Sequence, residues 1–323
     1  MIYSVFKWIT GIALYWFYRD IRVTGRDRIP IGSPLLIAVN HQNALVDSLI
    51  AAWVVPRRIT MTAKATLTDN PLVAFLFGIL GVVPLRRASD ETPKSGSTPM
   101  DRTRNTGAFT EILNVLHRRG AVLIFPEGKS HSEPGLEPLK TGLARLALQA
   151  RDERGIKGIK ILPLGLVFED KGVPATIVGA HVGEPIDMDS WAESDHAELT
   201  EEVARRLRAV SEEAGLPAEE HAVSRRKDSL KERLITLAAS WGRLTHRLPV
   251  RIARNIAVSR STDPDEPAML TIIFGIGLVL LTYAIHLTIV GALVRSFWIS
   301  GLYLASLVSG VYWAAFEQDP RRY

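Results

Sequence analysis

From residue 21 to about residue 216, short apolar runs alternate with stretches of helical period. Leu35–Val39, Ile59–Ala63, Val122–Phe125, Ile161–Phe168 and Ala175–Val182 read as strands, because each is brief, apolar and rich in branched side chains. Ala44–Val54, Asn70–Leu80, Asn105–Arg119, Thr141–Arg151 and His196–Ala214 read as helices. The last carries Leu199, Val203, Leu207 and Val210 at spacings of 4, 4 and 3, which is one face of a helix. Such alternation predicts an α/β fold with a mixed, largely parallel sheet flanked by helices. Residues 88–104 are polar and rich in Ser, Thr, Pro and charge, the pattern of a surface loop.

The pattern changes after residue 216. Ala268–Val294 runs 27 residues without Asp, Glu, Lys or Arg, and Ser296–Phe316 runs another 21. As helices these measure roughly 40 and 32 Å, against a hydrocarbon core of about 30 Å. Separated only by Arg295, they predict a transmembrane hairpin; a buried helical pair is the alternative. Arg251, Arg254 and Arg260 precede the first span and Arg321 and Arg322 follow the second, so both tails are expected in the cytoplasm. Ahead of the hairpin, Leu230, Leu234, Trp241, Leu244 and Leu248 share a helical face among basic residues. That suits a helix lying in the headgroup region, although packing on the soluble domain would also use such a face. At the other end, Met1–Tyr18 carries Phe6, Trp8, Ile9, Leu14, Trp16 and Phe17 with Lys7 as its one charge. It lacks the layout of a signal peptide, and its aromatics predict a shallow membrane-seated helix. The expected organisation is an N-terminal helix over 1–20, a catalytic domain over 21–216 and a basic amphipathic segment over 217–266. The hairpin (267–317) and a cytoplasmic tail (318–323) complete it.

Composition sharpens this picture. The chain has 323 residues and no cysteine, which excludes disulfides, thiolate nucleophiles and thiolate metal centres on this chain. Its net charge of +5 is concentrated: between Glu219 and Arg260 ten basic residues face four acidic ones. Because this stretch adjoins the apolar spans, anionic lipid is a better partner for it than nucleic acid.

Several chemistries lack support. Gly128-Lys129-Ser130 looks like the end of a phosphate-binding loop, but Leu123 stands where that motif needs its first glycine. There is no Gly-x-Ser-x-Gly elbow, no His-Glu-x-x-His helix and no credible metal-ligand cluster. In contrast, the strand Leu35–Val39 ends at Asn40-His41, and Asp47 follows six positions after the histidine. A histidine with a carboxylate partner is the minimum equipment of a general base; a surface histidine beside a capping aspartate is the plainer reading. Gly81–Arg87 brings Arg86 and Arg87 out of an apolar run, where a guanidinium could fork onto a phosphate. Phe125-Pro126-Glu127-Gly128 ends another strand in a tight turn, and Lys140 opens a helix. Glu127 could touch substrate or cap that turn. His131 reads as a turn histidine in solvent or as a second acid or base. His117 and His286 read as structural.

In this order and spacing, Asn40-His41 with Asp47, Gly81–Arg87, Phe125–Gly128 and Leu162-Pro163-Leu164 resemble the four motif blocks of the glycerophospholipid acyltransferases. That family includes the glycerol-3-phosphate and lysophosphatidic acid acyltransferases. Ala63-Lys64 and Leu139-Lys140-Thr141-Gly142 match secondary family positions. The resemblance implies His41 as general base oriented by Asp47. It also implies Lys64, Arg87, Glu127, Gly128 and Lys140 as substrate-binding residues. The donor would be acyl-CoA or acyl-carrier protein, the acceptor glycerol 3-phosphate or its monoacyl form, with no cofactor or metal. A phospholipid-remodelling transacylase and a non-catalytic lipid-binding membrane protein remain as alternatives. Two departures stand out. Five residues, not the usual four, separate His41 from Asp47, and Ser130 stands where the family usually has arginine. Both resemble a branch that includes fungal glycerol-3-phosphate acyltransferases. A continuous helix would put residues six apart on different faces. The dyad therefore requires His41 to lie before the helix, with Asn43 expected as its cap.

Overall fold

The computed structural model describes residues 2–69, 71–86, 105–131, 133, 135–217, 230–261 and 266–316. Arg87 and the expected loop over 88–104 lie outside the described residues. The chain begins with α1 (Ile2–Phe17) and β1 (Asp20–Thr24). It continues through β2 (Leu35–Val39), α2 (Ala44–Val54), β3 (Ile59–Lys64), α3 (Pro71–Leu80) and β4 (Val83–Leu85). Next come α4 (Thr106–His117), β5 (Ala121–Ile124), α5 (Gly142–Asp152), β6 (Lys160–Phe168), β7 (Ile177–Val182), β8 (Ile186–Asp187) and α6 (His196–Ser211). Three long helices close the chain: α7 (Leu230–Arg260), α8 (Glu266–Val294) and α9 (Phe297–Phe316).

The strands form one sheet in the order β1-β7-β6-β2-β5-β3-β4, with β8 on the first residues of β6. Only the β6–β7 and β6–β8 pairs are antiparallel, so the sheet is mixed and largely parallel, as the alternation predicts. β2 lies at its centre between β5 and β6, and all five of its residues are buried. That explains why its sequence is an unbroken apolar run: both faces are covered. Leu35, Ile37 and Val39 pack with Leu14, Phe17 and Ile50 on one face. Leu36 and Ala38 pack with Ile112, Leu116, Leu143 and Leu146 on the other. α6 lies so close to β6 that a Cβ on Gly165 would come within 2.1 Å of the Val210 carbonyl oxygen.

The N-terminal helix belongs to this core. α1 buries Thr10, Gly11, Leu14 and Phe17 and leaves Ile2, Val5, Trp8 and Ile9 exposed. Its Trp16 Nε1 donates to the Val311 carbonyl of α9 at 3.2 Å. α8 and α9 are each long and apolar enough to cross a membrane, and they form a candidate hairpin. α7 lies against both through a face of small residues that includes Ala239, Gly242, Ala253 and Ala257. Contact is closest where a Cβ on Gly242 would sit 1.9 Å from the Gly310 carbonyl oxygen. Within the stripe, Leu230, Leu234, Leu244 and Leu248 point away from the protein, with Leu230 74% and Leu244 71% exposed, whereas the Trp241 ring lies edge-on to Tyr303 of α9.

Candidate active site

The site is built at the carboxyl ends of the central parallel strands, the usual place for one in an open α/β sheet. Directly after β2, the Asn40 side chain continues the ladder. Its Nδ2 donates to the Leu166 carbonyl at 2.9 Å, and its Oδ1 accepts from the Leu166 N–H at 2.7 Å. This fork fixes the backbone that presents His41. The histidine N–H donates to Glu127 Oε1 at 2.6 Å, and its carbonyl accepts from the His131 N–H at 3.1 Å.

The chain then turns through Asn43 and starts α2 at Ala44, so His41 does lie ahead of the helix. His41 Nδ1 and Asp47 Oδ2 are 2.9 Å apart. The same carboxylate oxygen accepts the Asn43 N–H at 2.8 Å, and Asp47 is fully buried. A carboxylate at Nδ1 selects the tautomer with its proton there, an assignment made from the hydrogen-bond network. Nε2 is left as the basic nitrogen, with no hydrogen-bond partner among the described residues. The Phe125 ring stacks on the imidazole, with centroids 3.8 Å apart and planes 14° off parallel.

Asn43 occupies the cap position of α2, but its side chain makes no capping bond, contrary to expectation. Its Nδ2 instead donates to the Tyr18 hydroxyl at 2.9 Å and the Lys171 carbonyl at 3.1 Å. The Asp47 carboxylate takes the Asn43 N–H and Ser130 Oγ takes the Ala44 N–H, so the turn is satisfied by other groups. Burial, and then the nearby Asp47 charge, push the Tyr18 hydroxyl far above the usual tyrosine range, so it stays protonated behind the dyad.

Glu127 is buried, and the protein uses both of its oxygens. Oε1 holds the His41 N–H, while Oε2 takes the Glu137 N–H at 2.8 Å and pairs with His131 Nε2. Its visible role is to brace the turn that carries His41; a direct substrate contact would require exchanging one of these bonds. His131 is itself buried, which corrects the expectation of a solvated turn histidine: the Glu127 carboxylate and the His41 carbonyl draw it inward. Gly128 adopts φ +81°, where a Cβ would be strained, and a Cβ there would touch Lys140 Cγ at 3.4 Å.

A cavity of about 1330 Å³ opens beside these strand ends. It is lined by Phe125 and Glu127, by the apolar Phe109, Leu113 and Leu143, and by the basic Arg86, Lys129 and Lys140, while His41 and Asp47 are not among its lining residues. Lys140 is exposed at the entry to α5. Lys64 ends β3, one residue beyond the lining residue Ala63. The structure thus brings Phe125, Glu127, Gly128 and Lys140 to one cavity beside the dyad. Asn40, Ser130 and His131 were not singled out by sequence as holding His41; the latter two lie about ninety residues from it, and no local pattern shows the pairing. Among the described residues, no group of three or more His, Asp or Glu could hold a metal ion. His286 Nδ1 lies 2.8 Å from the Tyr303 hydroxyl, a contact between the apolar helices.

Comparison with known proteins shows what the chain is similar to. The family model described as Acyltransferase matches residues 20–167. An uncharacterized acyltransferase, C1718.04, of Schizosaccharomyces pombe is 22% identical over 244 residues, covering 52% of this chain and 36% of that protein. Glycerol-3-phosphate O-acyltransferase 2 of Saccharomyces cerevisiae is 31% identical over 112 residues, covering 34% of this chain and 15% of that protein. The chain therefore spans well under half the length of these two relatives. Among solved structures, the 1-acyl-sn-glycerophosphate (LPA) acyltransferase PlsC of Thermotoga maritima aligns with a TM-score of 0.50 at 20% identity. That alignment covers 68% of this chain and 82% of that one and shows a shared fold. Residues 20–167, which hold the strand-end histidine and its aspartate, thus match the Acyltransferase family model, and the chain is similar to glycerol-3-phosphate and 1-acylglycerol-3-phosphate acyltransferases.

Proposed function

We propose that the protein transfers a fatty acyl group from an acyl thioester to a hydroxyl of glycerol 3-phosphate or its monoacyl form. The observation that carries this reading is the His41–Asp47 pair, 2.9 Å apart, with Nε2 directed away from the carboxylate at a strand end beside a largely apolar cavity. In the proposed reaction, His41 Nε2 takes the acceptor hydroxyl proton as that oxygen attacks the thioester carbonyl. Asp47 holds the ring and stabilises the imidazolium. The tetrahedral adduct collapses, the carbon–sulfur bond breaks, and the departing thiolate takes the proton from Nε2. An acyl ester and a free thiol result, and His41 is restored. Base catalysis of this kind contributes about 10²–10⁴-fold, and positioning supplies much of the remainder.

In this reading, Lys64, Lys140 and Arg87 supply positive charge to the acceptor phosphate. Gly128 lets the backbone approach the reacting groups, and the apolar cavity takes the acyl chain. Acyl-CoA or acyl-carrier protein is the donor substrate, and the scheme uses no cofactor. The apolar α8 and α9 and the basic α7 support a reaction at a membrane, and the arginines at both tails are the reason to propose its cytoplasmic face. The test is the purified full chain in detergent, given acyl-CoA, acyl-carrier protein or a phospholipid as donor. Glycerol 3-phosphate, its monoacyl form and unphosphorylated glycerol serve as acceptors. Transfer from a thioester to a phosphorylated acceptor supports the proposal. Transfer from phospholipid alone would make the protein a transacylase, and equal use of glycerol would remove the phosphate contact.

A further inference from the structure

Residues 130 and 131 reach across to the turn between His41 and Asp47, which are separated by five residues. In the fold, the turn after His41 contains Ala44 at φ +45°, a left-handed conformation that residues with a Cβ rarely adopt. Ala44 is the first residue of α2, and its N–H is among those a helix leaves without an internal partner. That N–H donates to Ser130 Oγ at 3.1 Å. The neighbouring His131 N–H holds the His41 carbonyl at 3.1 Å, so residues 130 and 131 grip both ends of the turn.

We infer that Ser130 is a positioning residue for the His41–Asp47 dyad. The hydroxyl holds Ala44 left-handed, and this conformation brings Asp47 back onto His41 Nδ1. Ser130 acts through the turn and touches no substrate. The inference rests on the reading of His41 as the base, and its test includes a readout that needs no turnover.

The full chain is compared with Ser130→Ala, Ser130→Thr and the double variant Ser130→Ala with Ala44→Gly. Loss of the hydroxyl should lower kcat about tenfold to a hundredfold, because small displacements at a catalytic centre are costly, while both KM values stay within about twofold. Threonine, which keeps an acceptor oxygen, should restore most of kcat. Glycine at position 44 should recover part of the loss in the double variant, since it adopts positive φ without the Cβ penalty. In protein labelled with ¹⁵N-histidine, the Nδ1 proton of His41, assigned by its absence in His41→Ala, should weaken in Ser130→Ala and return in the double variant. An unchanged kcat and Nδ1 signal in Ser130→Ala would overturn the inference. So would a loss confined to the acceptor KM, which would make Ser130 a substrate contact, or a loss that neither threonine nor glycine relieves. If no variant, nor the wild type, transfers acyl groups, the functional reading fails, and the Nδ1 signal alone decides the role of Ser130.

Discussion

At the scale of residues, the site is a set of buried hydrogen bonds centred on the His41 ring and backbone. Asp47 gives one oxygen to both the His41 ring and the Asn43 N–H, so Asp47→Asn would replace an acceptor-only group with one that also donates. An amide N–H directed at Nδ1 favours the opposite tautomer, and the expected loss in kcat is up to about 10⁴-fold with little change in stability. Steady-state kinetics beside a thermal unfolding curve checks both parts. Glu127→Gln should act differently. Its carboxylate accepts from the His41 N–H, the Glu137 N–H and His131, and an amide nitrogen must face at least one of these donors. The variant should lose about 1–3 kcal/mol of stability, the usual cost of a buried unsatisfied polar group. A denaturant titration showing wild-type stability would contradict this. Sequence reasoning reached His41 and Asp47, because a histidine at the end of an apolar strand and a carboxylate six residues on are local facts. It left Glu127 between two roles and put His131 in solvent, because the contact of residues 127–131 with residues 41–44 exists only once β2 and β5 lie side by side.

At the scale of elements, the ends of β2 and α2 follow the hydrophobic pattern because both are buried where the pattern is strongest. β1, β4 and β8 escape such reading. β1 is Asp-Ile-Arg-Val-Thr, an edge strand whose pairing with β7 owes more to its partner than to its own composition. The long helix α7 shows a similar division. Its leucine stripe is plain in sequence, but the opposite face of small residues, which decides where the helix packs, carries no hydrophobic signal. Gly242 is the clearest test, since a side chain there must displace the Gly310 backbone. Gly242→Val should part α7 from α9 at a cost of about 1–3 kcal/mol, the range for overpacking. Gly242→Val unfolding at the wild-type temperature in the same detergent would show that the contact is not tight.

At the scale of the whole molecule, the α/β domain and the C-terminal helices share a core. Ala268 and Ile272 at the start of α8 pack into the same cluster as Leu14 of α1 and Ile50 of α2, and Trp16 bonds the α9 backbone. The apolar C-terminal helices therefore do not form a detachable tail. On the exposed side of α7, the leucines lie beside arginines in the arrangement that favours anionic lipid surfaces. Substituting Leu244→Glu and Leu248→Glu together should weaken association of the full chain with anionic vesicles and leave the fold intact, because both side chains are exposed. Vesicle flotation with unchanged recovery would remove this stripe from the binding surface. All of this serves one claim, that a histidine at the end of the central strand removes a proton from a lipid-precursor hydroxyl. Its most direct test is transfer of a labelled acyl group from a thioester to a phosphorylated glycerol by purified full-length protein, comparing wild type with His41→Ala at matched thermal stability. Product is expected from the wild type and a kcat at least about 10²-fold lower in the variant; transfer by His41→Ala within a few-fold of wild type would rule out His41 as the base.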